Sequence, residues 1–256
     1  MSVVLNEVGE AERLLKIGEV GNKPTSTLFI LGKYYRQKKE LDKMQTSKML
    51  DSFMRDNYKN YNPALWENII EDISKKAGKY PLREVESIVI AQDELDEISK
   101  LSNIKYEKLV FTMLCFAKLY NTISENNNGW VNISIPEIFR IARVAVKYKK
   151  DKFLYLNDIE KSGLISFSNK NDNLNLKINF VSDCLDNITI TITDFRELGY
   201  EYLDYIGNGN FIRCSECGRL VRKSGNKIRY CKDCAYNINL NKSRKNMKNK
   251  YVTENL

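Results

Sequence analysis

Four of the six cysteines fall into two C-x2-C pairs, Cys214/Cys217 and Cys231/Cys234, with 13 residues between the pairs. Each pair can fold into a tight knuckle whose backbone amides support thiolates. Two such knuckles brought together make a closed tetrahedral cage of four sulfurs. Four soft ligands with no position left for water predict one structural zinc ion, with iron in a rubredoxin-like cage the competitor on ligand type. Two disulfides are disfavoured because clustered thiols in a reducing compartment bind metal instead. The metal's expected role is to staple a module too small to fold alone. Between the pairs, LVRKSGNKIRY predicts a hairpin of Leu220 and Val221 with Ile228 and Tyr230 about a turn at 224–226, and Gly218 relieves the first knuckle. Cys115 and Cys184 stand apart and read as inert thiols.

The second chemical signal is charge. Residues 211–256 hold 12 Lys/Arg against 3 Asp/Glu, whereas the rest of the chain holds 29 basic and 30 acidic residues. The whole net charge of +8 therefore belongs to the C-terminal segment. Such asymmetry points to a polyanion, most often nucleic acid, although a basic tail can also serve solubility alone. On the cysteine module the candidate contacts are Arg213, Arg219, Arg222, Lys223, Lys227, Arg229 and Lys232. A second basic cluster lies upstream: Arg140, Arg143, Lys147, Lys149, Lys150 and Lys152, opposed only by Asp151.

Much chemistry is excluded. The chain has no histidine, so there is no Ser-His-Asp or Cys-His pair, no HExxH site and no His-ligated metal. Nothing resembles a P-loop. Asp93, Glu94, Asp96 and Glu97 share one short helix and read as a solvated face rather than a metal-carboxylate set. The expectation is therefore a protein that is not an enzyme. No apolar run approaches the ~20 residues that span a bilayer, and the acidic start lacks a signal peptide's basic and apolar regions. A cytoplasmic protein is expected, acting in a host cell and with no membrane partner.

These residues need elements to hold them. The first hundred positions read as helices: Glu7 to Ile17; a second from a Thr25 or Ser26 cap to about Arg36; a third over 46–57 with Met49, Leu50, Phe53 and Met54 inward; and a fourth capped by Asn62 with Pro63 at its first turn and a stripe of Leu65, Trp66, Ile69, Ile70 and Ile73. Tyr34, Tyr35, Tyr58, Tyr61 and Trp66 read as core at helical spacing. A β-like run at 87–90 leads into an acidic helix over 93–101. Then come a strong helix over 106–120, a short strand at 130–133, a short helix capped by Ser134, a turn near Ala145, a helix over 148–161 ending at Gly163, and a hairpin of LISFS and LNLKINFV. That order is the order of a winged helix-turn-helix, whose second helix would put Lys149 and Lys150 at the major groove. The tip of the hairpin, 169–173, carries one Lys and one Asp and predicts only a weak wing contact. A strand at 187–193 and a helix over 195–206 complete the body. GNGN at 207–210 predicts a linker to an independent ribbon, and the Asn/Lys-rich tail predicts fraying.

The segment NFIRCSECGRLVRKSGNKIRYCKDCA resembles a four-cysteine ribbon frequent at the ends of small proteins from Firmicutes phages and prophages. KPTSTLFILGKYYR, NYNPALW and ITDFRELGYEYL are similar to the same group. The resemblance implies a phage or mobile-element origin and supplies no activity or catalytic residue.

The expected fold is mainly α within an α+β class: a helical domain over 1–102, a winged-helix-like domain over 103–206, a zinc ribbon over 211–236 and a flexible basic tail over 237–256. The expected function is DNA binding in transcription control or replication. The alternative is a module that docks on a host protein or nucleoprotein complex, such as an anti-defence inhibitor. The sequence leaves the oligomeric state open.

Overall fold

The computed structural model describes residues 4–21, 23–124, 126–168, 175–182 and 187–253, with side chains at 241 and 244–253 left aside. The hairpin tip at 169–173 and Cys184 therefore lie outside the described residues. The architecture is mixed α+β, mostly helix with three small antiparallel sheets. It divides into two units, one over 4–86 and one from Ser87 onward.

The first unit is a bundle of α1 (Glu7–Ile17), α2 (Pro24–Gln37), α3 (Lys43–Asn57) and α4 (Pro63–Ala77). Local chemistry sets the ends. The Asn6 side chain accepts from Gly9 N–H and Gly18 closes α1 in the left-handed region. Asp42 and Gln45 form a reciprocal capping box on α3, starting it three residues earlier than the hydrophobic pattern alone implies. Helix α2 begins at Pro24 rather than at a Thr25 or Ser26 cap, because the proline ring presets the first turn. Leu28, Leu31, Leu50 and Met54 are sealed in the core, and Tyr34 and Tyr35 join them. Tyr58, Tyr61 and Trp66 pack against its edge. Met49, Leu65 and Ile69, expected inward, are exposed. The helices bury Leu50, Phe53, Ile70 and Ile73, and those three side chains fall to one side of that stripe. Inside the unit, the carboxylate of Glu7 accepts from the Lys33 ammonium, from Arg83 N–H at 2.9 Å and from the Arg83 guanidinium at 2.8 Å.

The second unit begins earlier than the expected boundary at 102. Strand β1 (Ile88–Ala91) pairs antiparallel with β5 (Ile188–Ile192), Ile88 opposite Ile192, so residues from 87 fold with the C-terminal part. Helix α5 (Gln92–Ser99) follows β1. Its Glu94 is no solvated residue: it is 1% exposed. The carboxylate accepts from Lys118 Nζ at 2.7 Å, from Ala91 N–H at 2.9 Å and from Ser182 N–H at 2.9 Å. A buried carboxylate needs such partners to offset its desolvation.

At the centre lies α6 (Ile104–Ile123), capped by Asn103, with every residue from Lys108 to Ala117 buried. Around it run β2 (Trp130–Val131), α7 (Ile135–Ile141), α8 (Lys149–Lys161), β3 (Ile165–Phe167) and β4 (Leu176–Ile178), and the three strands form one sheet in the order β2-β4-β3. Gly163 ends α8 with φ +81°, as its position predicted. Helix α9 (Leu198–Tyr205) then packs on α6, with the Phe111 and Tyr202 rings 5.2 Å apart. A Cβ on Gly199 would sit 2.0 Å from the Ala142 carbonyl oxygen, so only glycine lets the start of α9 meet the end of α7. The chain closes with β6 (Phe211–Arg213), β7 (Leu220–Arg222) and α10 (Lys232–Thr253). The tail expected to fray is thus continuous helix to Thr253.

Candidate metal centre and its basic surroundings

The cysteine module is built differently from the expected hairpin between the pairs. Strands β6 and β7 flank the first C-x2-C, with Phe211 opposite Arg222 and Arg213 opposite Leu220. Ile228 and Tyr230 form no strand. The first knuckle closes through Cys214 N–H to Arg219 O at 2.9 Å and Gly218 N–H to Cys214 O at 2.8 Å. Gly218 adopts φ +70°, where a side chain would be strained. The second knuckle is a helix start: Cys231 precedes α10, Cys234 sits in its first turn, and Cys234 N–H points at Cys231 Sγ at 3.4 Å. Ser215 N–H donates to Arg229 O at 3.0 Å and holds the two knuckles together.

The four sulfurs converge within 4.8 Å of one another. Cys217 and Cys231 Sγ lie 3.8 Å apart. A tetrahedral ion with metal–sulfur bonds of about 2.3 Å sets its sulfurs about 3.8 Å apart, so the cage fits a metal of that size. Cys214 and Cys231 are buried. Burial opposes ionisation of Cys214, but backbone amides at Cys231, Cys217 and Glu216 outweigh it and bring the thiol down to about 6. Burial pushes Cys217 up against the Arg219 amide and the Cys234 thiol, which pull it down, and burial together with the three neighbouring sulfurs pushes Cys234 up. These four cysteines can hold a metal ion. By contrast, burial pushes the Cys115 thiol well up, keeping it neutral on α6.

Sequence reasoning missed what supports the cage from outside. Arg196, in the loop before α9, donates from Nη2 to Cys217 O at 2.6 Å. The same guanidinium donates to both carboxylate oxygens of Asp194, from Nε to Oδ1 and from Nε and Nη2 to Oδ2. Neither residue carries a spacing that announces the role, since the bond joins positions 21 apart. The ribbon also docks on α9 itself. Arg213 pairs with buried Glu201 at 3.0 Å, and the Tyr200 and Phe211 rings lie 5.2 Å apart. GNGN is therefore no free linker. Gly207 and Gly209 take φ +67° and +132° and turn the chain back so that the ribbon seats on α9.

The candidate basic residues sort into two groups. Four are already paired. Arg140 binds Glu137 at 2.7 Å, and Arg219 binds Asp233 at 2.9 Å. Arg213 holds Glu201. Arg143, in the left-handed region at φ +53°, holds buried Glu197 and lies over the Tyr200 ring. The other nine have no carboxylate within ion-pair distance among the described residues: Lys147, Lys149, Lys150 and Lys152 around the start of α8, and Arg222, Lys223, Lys227, Arg229 and Lys232 on the ribbon. Lys147 and Lys150 lie over the Tyr148 ring and Lys152 over Phe139. Lys108, buried on α6, donates from Nζ to Arg143 O at 2.9 Å, and burial lowers its ammonium, with the charges of Lys105 and Arg222 adding to the effect. Asp151, the one acid by the first cluster, is engaged in accepting from Tyr148 N–H at 3.1 Å. Among the described residues no helix is long and apolar enough to cross a membrane.

Compared with protein families, with curated proteins and with solved structures, the chain matches none.

Proposed function

We propose that the chain binds duplex DNA through a winged helix at 104–178, aided by a zinc-bearing ribbon whose basic side chains meet phosphates. The observation that carries the reading is the set of nine cations with no carboxylate in ion-pair distance among the described residues, three of them resting only on aromatic rings, in a fold that pairs four neighbouring arginines with acids. Leaving so many ammonium and guanidinium groups without an acid on two segments favours a polyanion. Supporting it is the order α6, β2, α7, α8, β3, β4 with sheet order β2-β4-β3. In that arrangement α7 and α8 are the helix-turn-helix, β3 and β4 are the wing, and α8 is the groove helix. Zinc is supported by the four-thiolate donor set and the sulfur spacing. Its role is structural, since the closed cage leaves no position for water. The biological role in this reading is control of transcription or organisation of replication in a phage or mobile element.

The test is charge reversal at the two segments separately. Lys149→Glu with Lys150→Glu, and Arg222→Glu with Lys227→Glu, should each weaken duplex binding of the full chain by tenfold or more. Both pairs are exposed, so folding is preserved. Unchanged binding by both variants refutes the reading. The basic surface is then a docking site for an acidic host protein.

A further inference from the structure

The exposed face of α8 is not uniformly basic, and its composition points to which bases it reads. We propose that Phe153, Leu154 and Asn157, framed by Lys150 and Lys161, form an A·T-reading stripe that enters the major groove. The inference rests on the DNA-binding reading above and adds the sequence preference to it.

At about 100° per residue, Lys150, Phe153, Leu154, Asn157 and Lys161 fall within an arc of about 100° on one side of the helix. Leu156 and Ile159, the buried residues of α8, lie on the other side. The stripe is therefore the surface α8 turns away from its own core. Phe153 is 41% and Leu154 57% exposed. Two large apolar side chains in the middle of a lysine-flanked helix cost solvation unless something covers them. The Asn157 amide has no hydrogen-bond partner among the described residues, so both its donor and its acceptor are available.

Charge complementarity selects the occupant. Lys147, Lys149, Lys150 and Lys152 crowd the start of the helix. The acids on α8 are engaged: Asp151 caps Tyr148, Asp158 accepts from Tyr106 and pairs with Lys161, and Glu160 accepts from Phe167 N–H. A polyanion is attracted to the flanks while the centre presents no charge. In the major groove that combination has a specific match. A carboxamide bonds bidentately to adenine N6 and N7, and an apolar side chain packs on the thymine methyl. Of the guanine readers, arginine is absent from the stripe and its two lysines stand at the ends, not among Phe153, Leu154 and Asn157. Helix α8 has 13 residues, about 20 Å, so Lys150 at one end, and Lys161 at the other once it exchanges Asp158 for a phosphate, can flank the two or three base pairs read between them.

The test uses the full, metal-loaded chain. Preferred sites are selected from a random duplex library. Each is then remade with deoxyuridine for thymine, which removes only the methyl, or with 7-deazaadenine for adenine, which removes only the N7 acceptor. Each change should weaken the intact protein about tenfold. Asn157→Ala should become insensitive to 7-deazaadenine but keep its response to deoxyuridine, and Phe153→Ala should do the reverse. Both side chains are exposed, and circular dichroism checks that the fold is kept. Selected sites without A·T pairs, or modified bases that leave the intact protein unaffected, overturn the stripe and leave DNA binding standing. So does a uniform loss by both variants on every probe. No duplex binding even at low salt overturns both, and the apolar stripe is then a protein-docking face.

Discussion

Replacing Arg196 by Ala should loosen the metal although Arg196 is not a ligand. The guanidinium donates to Cys217 O at 2.6 Å, fixing the first knuckle from outside the ribbon. A charge-assisted hydrogen bond of this kind contributes about 1.5–3 kcal/mol. The Arg196 side chain is 27% exposed, so solvent screens it only partly, and Asp194, 15% exposed, loses its partner when the arginine is cut. A loss of about 2 kcal/mol corresponds to about 30-fold in the metal dissociation constant. That lies within the about 10–100-fold found for outer partners of metal ligands. The assay is competition for zinc with a chromophoric chelator at fixed pH. Arg196→Lys, which keeps the charge but not the fork, should fall between wild type and Ala. Wild-type affinity in Arg196→Ala, within twofold, refutes the argument that the body of the protein supports the cage.

Three other outcomes follow from the packing. Stripping the metal, or Cys231→Ser, should raise hydrogen exchange at 198–205 as well as at 211–235, because the ribbon rests on Tyr200 and Glu201 of α9; unchanged protection of α9 contradicts that seating. Gly199→Ala places a methyl 2.0 Å from the Ala142 oxygen. It should cost about 1–3 kcal/mol and lower Tm by several degrees; an unchanged Tm contradicts the close approach. The Arg140 guanidinium is the largest of the causes that hold the Glu137 carboxyl down at about 2, against a smaller opposing effect of burial. The folded value lies below the ordinary one of about 4.5, so the pair's stabilisation is present above that pH and is lost as pH falls toward 2. Arg140→Ala should move the Glu137 carboxyl carbon titration part of the way up toward the ordinary value, and an unmoved titration removes Arg140 from that role.

Local signals carried the sequence reading where local chemistry decides the outcome. Asn62 with Pro63, the helix at Glu7–Ile17 and Gly163 each combine a cap or turn residue with an apolar stripe. The four cysteines did the same for the metal cage. What stayed hidden is pairing over distance. Nothing in IVIA names Ile188–Ile192 as its partner, yet that pairing moves residues 87–101 into the second unit. Glu94 looks like its exposed neighbours until Lys118 and Ser182 arrive from elsewhere. GNGN reads as a hinge because glycine permits many conformations, and only the Arg213–Glu201 and Arg196–Cys217 bonds reveal which one is used. The same bonds separate structural arginines from available cations, a distinction that composition blurs.

The central claim is that the nine cations with no carboxylate partner among the described residues meet DNA phosphates. Its most direct test is the salt dependence of binding to an arbitrary duplex by the intact, metal-loaded chain. If about six of the nine engage, log Kobs should fall against log salt with a slope of about −5, and affinity should drop about a thousandfold between ~50 and ~200 mM salt. No binding at the lowest salt, or an affinity that salt leaves unchanged, contradicts the account.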